Sequence, residues 1–122
     1  MNIVVIDDEK TLCDNIADYL ELFGHTVEKY NSIDEFSDSI DLTSIDLIIT
    51  DIVMEDTDGF GLIDYLYNNN GTSPLIIMSG YSAMYLKMVS KYAEVKDLNV
   101  IGNLKKPFDL KILKTFLKKI ES

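Results

Sequence analysis

Carboxylates follow two short apolar segments of this chain, at the point where each segment ends. Residues 47–50 are apolar or β-branched, and Asp51 comes directly after them. Residues 2–6 lead in the same way into Asp7 and Asp8. Three carboxylates that are crowded together repel one another unless a cation binds, and Mg²⁺ prefers a few carboxylates with waters. The alternative is that each Asp only caps the helix or turn that follows it.

Two further polar residues stand near the ends of predicted strands. Ser79 follows the apolar run 74–78, and Lys106 follows the predicted strand 98–101. A lysine can pair with a carboxylate or an anion, and a serine hydroxyl can donate to an anion's oxygen. A metal, a lysine and a hydroxyl around one Asp make a pocket for phosphoryl oxygens. In such a pocket the Asp itself can be the nucleophile that receives the phosphoryl group.

The elements that must position these residues alternate between strand and helix patterns. Continuous apolar runs predict strands at 2–6, 47–50, 74–78 and 98–101, with a modest strand at 25–30. Apolar residues at three- and four-residue spacing predict a helix after each strand; the second runs through Ile40 and the fourth from 81 to about 93. Parallel strands need helical crossovers, so the pattern predicts an α/β fold with a five-stranded parallel sheet between helices. Ligands bind at the carboxyl ends of such strands.

The composition limits the class of protein. The chain has 122 residues, 47% of them apolar, which suits one domain with one core. The sequence contains no run of 18 apolar residues, so no membrane span is predicted. A net charge of −10 disfavours direct nucleic-acid binding. The charge is uneven, because residues 105–119 hold six lysines and one acid while the first 60 residues hold most of the carboxylates.

The cysteine and histidine content points to a reducing cytoplasm. Cys13 is the only cysteine, so no internal disulfide can form, and we expect it to be an ordinary helix residue rather than a reactive thiol. His25 is the only histidine, so a structural zinc site is not expected. The N-terminus has no basic leader and reaches Asp7 too soon for a signal peptide. We therefore expect a cytoplasmic protein without membrane contact.

Four short motifs stand at the ends of the predicted strands. They are Ile6-Asp7-Asp8-Glu9, Thr50-Asp51 with Gly59 eight residues on, Met78-Ser79-Gly80 and Lys106-Pro107-Phe108. Together these motifs resemble the receiver domain of bacterial two-component response regulators. They occur in the family's order across almost the whole chain, and the four together are far more specific than any one of them.

The resemblance implies a fold and a function. The fold is a flavodoxin-like, doubly wound, five-stranded parallel sheet of order 2-1-3-4-5 with five helices, over a single receiver domain at 1–122. The function is a phosphorylation-dependent signalling switch that assists its own phosphotransfer and dephosphorylation but is not a dedicated enzyme. The implied partners are a histidine kinase or phosphotransfer protein and a downstream output domain or protein. Whether the chain stands alone or belongs to a larger regulator stays open.

The resemblance also implies a role for each site residue. The phosphoacceptor is Asp51. The Mg²⁺ ligands are Asp7, Asp8, Asp51 and the backbone carbonyl of Val53. The residues that contact the phosphoryl group are Ser79 and Lys106, and Lys106 is preferred to Lys105 because the family's lysine directly precedes the proline.

The sequence departs from the family's pattern at three points. The loop 54–59 lacks the proline that the family often has there, so its stiffness is in question. Asn103 stands where the family often has an aromatic switch residue, three positions before the lysine. The spacing from Ser79 to Lys106 is long, which predicts a longer fourth helix or loop within 81–99. We therefore expect output mainly through the fourth helix, where Tyr81, Tyr85 and Tyr92 would anchor an interface; the alternative is that these tyrosines cover the sheet.

Two other functions are compatible with an Asp at a strand end. A metal-dependent phosphohydrolase would also use a nucleophilic Asp, but it needs a second carboxylate two residues later as general acid. Val53 stands at that position and cannot transfer protons. A receiver that no longer takes phosphate and only binds partners is the other alternative, and the full set of site residues disfavours it.

Overall fold

The computed structural model of the chain describes residues 1–37, 41–55, 57–69 and 71–121. Within these ranges, parallel strands form one sheet in the order β2-β1-β3-β4-β5, which confirms the predicted fold class and strand order. The strands are β1 (Asn2–Ile6), β2 (Thr26–Tyr30), β3 (Leu47–Asp51), β4 (Leu75–Ser79) and β5 (Val100–Lys105). The α-helices are α1 (Lys10–Glu21), α2 (Ile33–Ser37), α3 (Gly59–Asn68), α4 (Ala83–Val95) and α5 (Ile112–Glu121). Over the described ranges, every helix is too short or too polar to cross a membrane.

Helices cover both faces of the sheet, so its central strands are apolar on both sides. Successive side chains of a strand point to opposite faces, and in β3 Ile48 packs with α2, α3 and α4 while Leu47 and Ile49 pack with α1 and α5. All five residues of β3 and all five of β4 are buried. This double burial fixes the strands that carry Asp51 and Ser79 at their carboxyl ends.

Side-chain caps set where α2, α3 and α4 begin. Ser32 Oγ accepts a hydrogen bond from the Glu35 amide at 3.0 Å at the start of α2, as the serine of a capping box does. Asp58 accepts one from the Gly61 amide at 2.8 Å at the start of α3. Ser82 accepts one from the Tyr85 amide at 3.0 Å at the start of α4. These bonds satisfy amides that have no partner within the helix.

The largest differences from the predicted bounds are in β5 and α4, each at both ends. β5 begins at Val100 rather than 98 and continues to Lys105. Gly102 and Asn103 have low strand propensity, but they adopt the strand because they pair with residues of β4. The helix α4 begins two residues later than predicted and ends at Val95, because Ser82 caps it. The predicted end of the second helix at Ile40 lies outside the described residues.

The close approach of α3 and α4 depends on a glycine, and this gives a first prediction. A Cβ atom at Gly59 would lie 2.9 Å from Ile52 Cβ and 2.9 Å from Val89 Cγ2. Gly59→Ala should therefore lower the free energy of unfolding by about 1–3 kcal/mol through overpacking. Urea denaturation measures it. Gly80→Ala is the control, since its Cβ would meet Lys106 only at 3.7 Å or more; equal unfolding midpoints for the two variants would contradict the prediction.

Candidate functional site

The sheet brings the three predicted carboxylates together. Asp7 and Asp8 follow β1, and Asp51 ends the adjacent strand β3. One carboxylate oxygen from each of the three lies within 4.8 Å of the others. Asp7 and Asp51 are buried, and Asp8 is exposed to solvent. The cluster is thus an all-oxygen site that opens to solvent at one side.

Backbone amides hold the two buried carboxylates in place. Asp7 Oδ1 accepts a hydrogen bond from the Glu9 amide at 2.9 Å. Asp51 Oδ1 accepts one from the Val53 amide at 2.9 Å. Each Asp therefore bonds the backbone two residues further on, as short carboxylate side chains do in turns. This arrangement leaves the Oδ2 atom of each Asp for other partners.

Lys106 bonds both of those remaining oxygens. Its Nζ atom lies 2.8 Å from Asp7 Oδ2, 2.9 Å from Asp51 Oδ2 and 3.2 Å from Glu9 Oε1. The side chain of Lys106 is only 9% exposed. One ammonium thus faces Asp7 and Asp51 at close range while Asp8 stands beside them, so the carboxylate cluster keeps an excess of negative charge.

The ionisation of the site reflects this crowding. Burial raises the pKa of Asp7 to about 6, against the opposing effect of its bond to Lys106, and the charge of Asp51 adds to the rise. Burial alone would lower the pKa of Lys106, but its bonds to Asp51 and Asp7 outweigh burial and raise that pKa above its ordinary value. The lysine is therefore charged at any physiological pH, whereas Asp7 titrates not far below neutrality.

Ser79 lies between the strands that carry Asp51 and Lys106. It ends β4, it is fully buried, and its carbonyl accepts a hydrogen bond from the Lys106 amide at 2.9 Å. Its Oγ atom accepts a hydrogen bond from the Tyr81 amide at 3.0 Å. The hydroxyl proton is left to donate to another oxygen. Ser79 therefore stands at the carboxyl end of β4, next to β3 and β5, as the sequence predicts.

The loop that follows Asp51, residues 52–58, lies beside the carboxylates. Val53 is 38% exposed, and its backbone forms an isolated antiparallel bridge with Asp58. The first amide of α3, that of Gly59, donates to the Tyr85 hydroxyl at 3.0 Å, and the same hydroxyl lies 3.4 Å from the Ile52 carbonyl, to which it donates. A residue of α4 thus contacts both ends of this loop.

Sequence reasoning missed two residues that contact the site or its loop. Glu9 reaches Lys106, and its place directly after the two predicted ligands is a signal that would have found it. Tyr85 had been expected to anchor an interface, but it is half-buried and packs at 5.9 Å from the ring of Phe60. Tyr92 also packs on Phe60, with ring centroids 5.3 Å apart, so these two tyrosines join α4 to α3. Tyr81 is 74% exposed.

Cys13 faces the core behind the site and has no reactive character. It is fully buried in α1, and its thiol lies 3.8 Å from the Val5 carbonyl. Burial, with the nearby charges of Asp7 and Asp14, raises the pKa of the Cys13 thiol to about 11. The thiol therefore stays protonated at neutral pH, as an ordinary core residue does.

A surface groove runs beside Lys106. It combines a charged wall near the site with an apolar wall formed by α1 and the segment after β5. Its lining residues are Glu9, Leu12, Gly80, Lys106, Pro107 and Phe108. A partner that approaches the carboxylates from this side meets an apolar contact surface next to the site.

Comparison with known proteins gives one consistent result. The sequence model of the family described as "Response regulator receiver domain" matches residues 3–118. The regulatory protein VanR of Enterococcus faecium is 33% identical over 78 residues, which cover 64% of this chain and 33% of VanR. The chain spans half or less of the length of the curated relatives it matches.

Solved structures share the fold closely. A two-component response regulator from Clostridium difficile superimposes with a TM-score of 0.82 at 25% identity, covering 99% of this chain and 95% of that one. The response regulator TrrA of Thermotoga maritima, solved in complex with Mg²⁺ and BeF, superimposes with a TM-score of 0.79 at 22% identity, covering 98% of this chain and 97% of that one.

The raised pKa of Asp7 predicts how stability depends on pH in metal-free protein. The folded state binds this proton more tightly than the unfolded chain does, since its pKa is about 6 against 3.8. This contribution to the free energy of unfolding is therefore complete below about pH 4 and is lost as the pH rises through about 6, by at most about 3 kcal/mol. Asp7→Asn should consequently gain stability relative to wild type over that range in chelator, as measured by urea denaturation.

Mg²⁺ supplies the control for this pH dependence. A bound cation favours the carboxylate form, so millimolar Mg²⁺ should reduce the wild-type loss between pH 4 and pH 7. A stability difference between Asp7→Asn and wild type that is constant from pH 4 to pH 7 in chelator would contradict the prediction.

Proposed function

Because this chain belongs to the response regulator receiver domain family, we propose that it is a phosphorylation-dependent signalling switch with Asp51 as its phosphoacceptor. The observation that carries the assignment is the contact of Lys106 Nζ with both Asp51 Oδ2 and Asp7 Oδ2 at the carboxyl edge of the sheet. Asp51 is nearly buried but lies beside solvent-exposed Asp8. A donor can therefore reach its oxygen from the surface, and competing water is limited.

The transfer itself needs little from the protein beyond position. An oxygen of Asp51 forms the new bond to phosphorus while the bond from phosphorus to the donor's imidazole nitrogen breaks, and the electron pair leaves with that nitrogen. The amide of Val53 fixes one oxygen of Asp51 at 2.9 Å. The carboxylate is thereby oriented before the donor arrives, which lowers the entropic part of the barrier.

The donor set of the acidic cluster fits Mg²⁺. Asp7, Asp8 and Asp51 supply hard carboxylate oxygens, and we propose that the Val53 backbone carbonyl completes the protein ligands. When bound, Mg²⁺ supplies positive charge that neutralises the phosphoryl oxygens. Lys106 alone does not balance this cluster, and the excess negative charge is the feature that favours a divalent cation.

Lys106 and Ser79 are proposed to hold the phosphoryl group after transfer. Phosphorylation bonds phosphorus to a carboxylate oxygen of Asp51 and places the more highly charged phosphoryl oxygens beside Lys106. The ammonium then pairs with a phosphoryl oxygen, and the Ser79 hydroxyl, which now accepts from the Tyr81 amide, donates to another. Both bonds form only in the phosphorylated state, so they bias the segment that begins at Ser79 toward a second arrangement.

The site favours a switch over a dedicated phosphohydrolase. A hydrolase of this type needs a proton-transferring side chain two residues after the nucleophile, and Val53 stands there. We propose that the chain assists only its own phosphotransfer and dephosphorylation. The described acids that touch Lys106 are Asp7, Glu9 and Asp51, and each is engaged in charge pairing.

The proposed partners follow from the groove and from the family. A histidine kinase or phosphotransfer protein would dock on the groove beside Lys106, where Leu12, Pro107 and Phe108 offer apolar contact. An output domain or protein would read the phosphorylated state. We propose one receiver domain over residues 1–122, working in the cytoplasm without direct contact to nucleic acid or membrane.

Mg²⁺ binding is the first test of this site. Relief of repulsion among the three carboxylates should stabilise the fold, so millimolar Mg²⁺ should raise the melting temperature of wild type. Asp8→Asn should remove most of that rise, because Asp8 is the exposed carboxylate of the cluster. Asp18→Asn, which removes an exposed acid of α1 outside the cluster, is the matched control and should keep the rise. An unchanged melting temperature in wild type would refute the metal site.

Phosphorylation of Asp51 is the second test. Incubation with acetyl phosphate and Mg²⁺ should add one phosphoryl group to wild type by intact-mass spectrometry, and Asp51→Asn should stay unmodified. Lys106→Met should reduce the yield, because no other described cation contacts Asp51. A phosphoryl group that maps to Ser79, or a labelled Asp51→Asn variant, would overturn the assignment.

A further inference from the structure

The hydroxyl of Tyr85 spans the two ends of the loop that follows Asp51. It accepts a hydrogen bond from the Gly59 amide at 3.0 Å and donates to the Ile52 carbonyl at 3.4 Å. Ile52 directly follows Asp51, and Gly59 is the first residue of α3. One side chain from α4 therefore joins the beginning of this loop to its end.

The bond to Gly59 answers a specific need of the backbone. The first amides of a helix have no intrahelical acceptor. Asp58 caps the amide of Gly61, and the Gly59 amide is left for another acceptor. Gly59 is buried and lies too close to Ile52 and Val89 for any side chain, so access for water is limited there. The Tyr85 hydroxyl is the acceptor that this buried amide has.

The ring of Tyr85 also packs against α3, and its backbone is fixed at the start of α4. It packs edge-to-face on Phe60 of α3 at 5.9 Å, and its own amide is the one that Ser82 caps at the start of α4. The segment just before α4 is also bound to Ser79, whose hydroxyl accepts from the Tyr81 amide. The loop and the proposed phosphoryl-contact residue thus both connect to the N-terminal end of α4.

Tyr92 offers a close comparison within the same interface. It packs on Phe60 at 5.3 Å, also edge-to-face, and comes from the same helix two turns later. Its hydroxyl donates to Asp64 Oδ1 at 2.5 Å, in the middle of α3. Tyr92 therefore shares the ring packing with Tyr85, but its hydroxyl bonds to the middle of α3 and not to the loop.

We propose that the Tyr85 hydroxyl is a positioning group that clamps the loop after Asp51 and couples it to α4. The inference rests on the proposed function, since it assigns a role toward the same metal and phosphoryl site. The loop lacks the proline that would stiffen it, and the clamp supplies that constraint from outside. It holds Val53 between fixed ends, and any shift of the loop on phosphorylation is passed to α4 through Tyr85.

The clamp is tested by comparing Tyr85→Phe with Tyr92→Phe. Each variant keeps its ring against Phe60 and loses one hydroxyl. In metal-free protein, amide hydrogen exchange should become faster at Gly59 and its neighbours in the loop in Tyr85→Phe, because the Gly59 amide loses its acceptor. Tyr92→Phe should leave exchange in that loop as in wild type. This measurement does not depend on metal or phosphate.

The consequence for the site is tested by calorimetric titration with Mg²⁺. Removal of a group that bonds directly to a metal ligand lowers metal affinity by roughly 10–100-fold. The Tyr85 hydroxyl bonds to the loop and not to a ligand itself. We therefore expect the Kd of Tyr85→Phe for Mg²⁺ to rise by up to about tenfold. Tyr92→Phe should bind as wild type does. With Mg²⁺ and beryllofluoride, protection of α4 should change in wild type and Tyr92→Phe, and less in Tyr85→Phe.

The outcomes separate this inference from the proposed function. Equal exchange at Gly59 in the two variants would overturn the clamp, whatever the metal does. Faster exchange in Tyr85→Phe with an unchanged Mg²⁺ Kd would overturn its role toward the site. If wild type binds no Mg²⁺ and takes no phosphoryl group, the proposed function fails, and exchange at Gly59 still decides whether the clamp exists.

Discussion

One buried ammonium between two buried carboxylates determines how this edge of the sheet is built. Asp7 follows β1, Asp51 ends the adjacent strand β3, and Lys106 follows β5. The strand β4 lies between β3 and β5. A charge that is removed from water is costly unless it is paired, so these three residues stabilise the fold only when all the strands are in register. The same pairing leaves the cluster with more negative than positive charge, and that excess would favour a divalent cation.

The fold and most of the site follow from local sequence, because their signals are local. Asp7, Asp51 and Ser79 are identified by the buried strands that lead into them. Because both faces of those strands are buried, the strands appear in the sequence as continuous apolar runs. The order of the strands, in contrast, came from the family resemblance, since no residue pattern encodes which strands are neighbours. β5 was misplaced because Gly102 is a weak strand former that adopts the strand only beside β4.

The contact that sequence reasoning could not provide is the one between Tyr85 and Gly59. The two residues are 26 positions apart, and their bond depends on how closely α3 approaches α4. A half-buried tyrosine on a helix has the same sequence pattern as an interface anchor. Tyr85 and Tyr92 are half-buried and pack on Phe60 of α3, whereas Tyr81 is exposed, and an interface role for them stays a prediction. Asn103 is exposed on β5 and offers no aromatic ring at the position where the family often has an aromatic switch residue.

The strand order also turns an uneven sequence into an electric dipole. The early, acid-rich part of the chain builds the β2 edge of the sheet, where Glu28, Asp34 and Glu35 are exposed. The late, lysine-rich part builds the β5 edge and α5, where Lys105, Lys111 and Lys114 are exposed. A charged partner therefore exerts a torque on this molecule before the two surfaces touch, within a distance of about 8 Å at physiological ionic strength, beyond which salt screens the field. The order of the elements along the chain thus separates the charges, and this separation favours one orientation of the protein as it approaches another charged macromolecule.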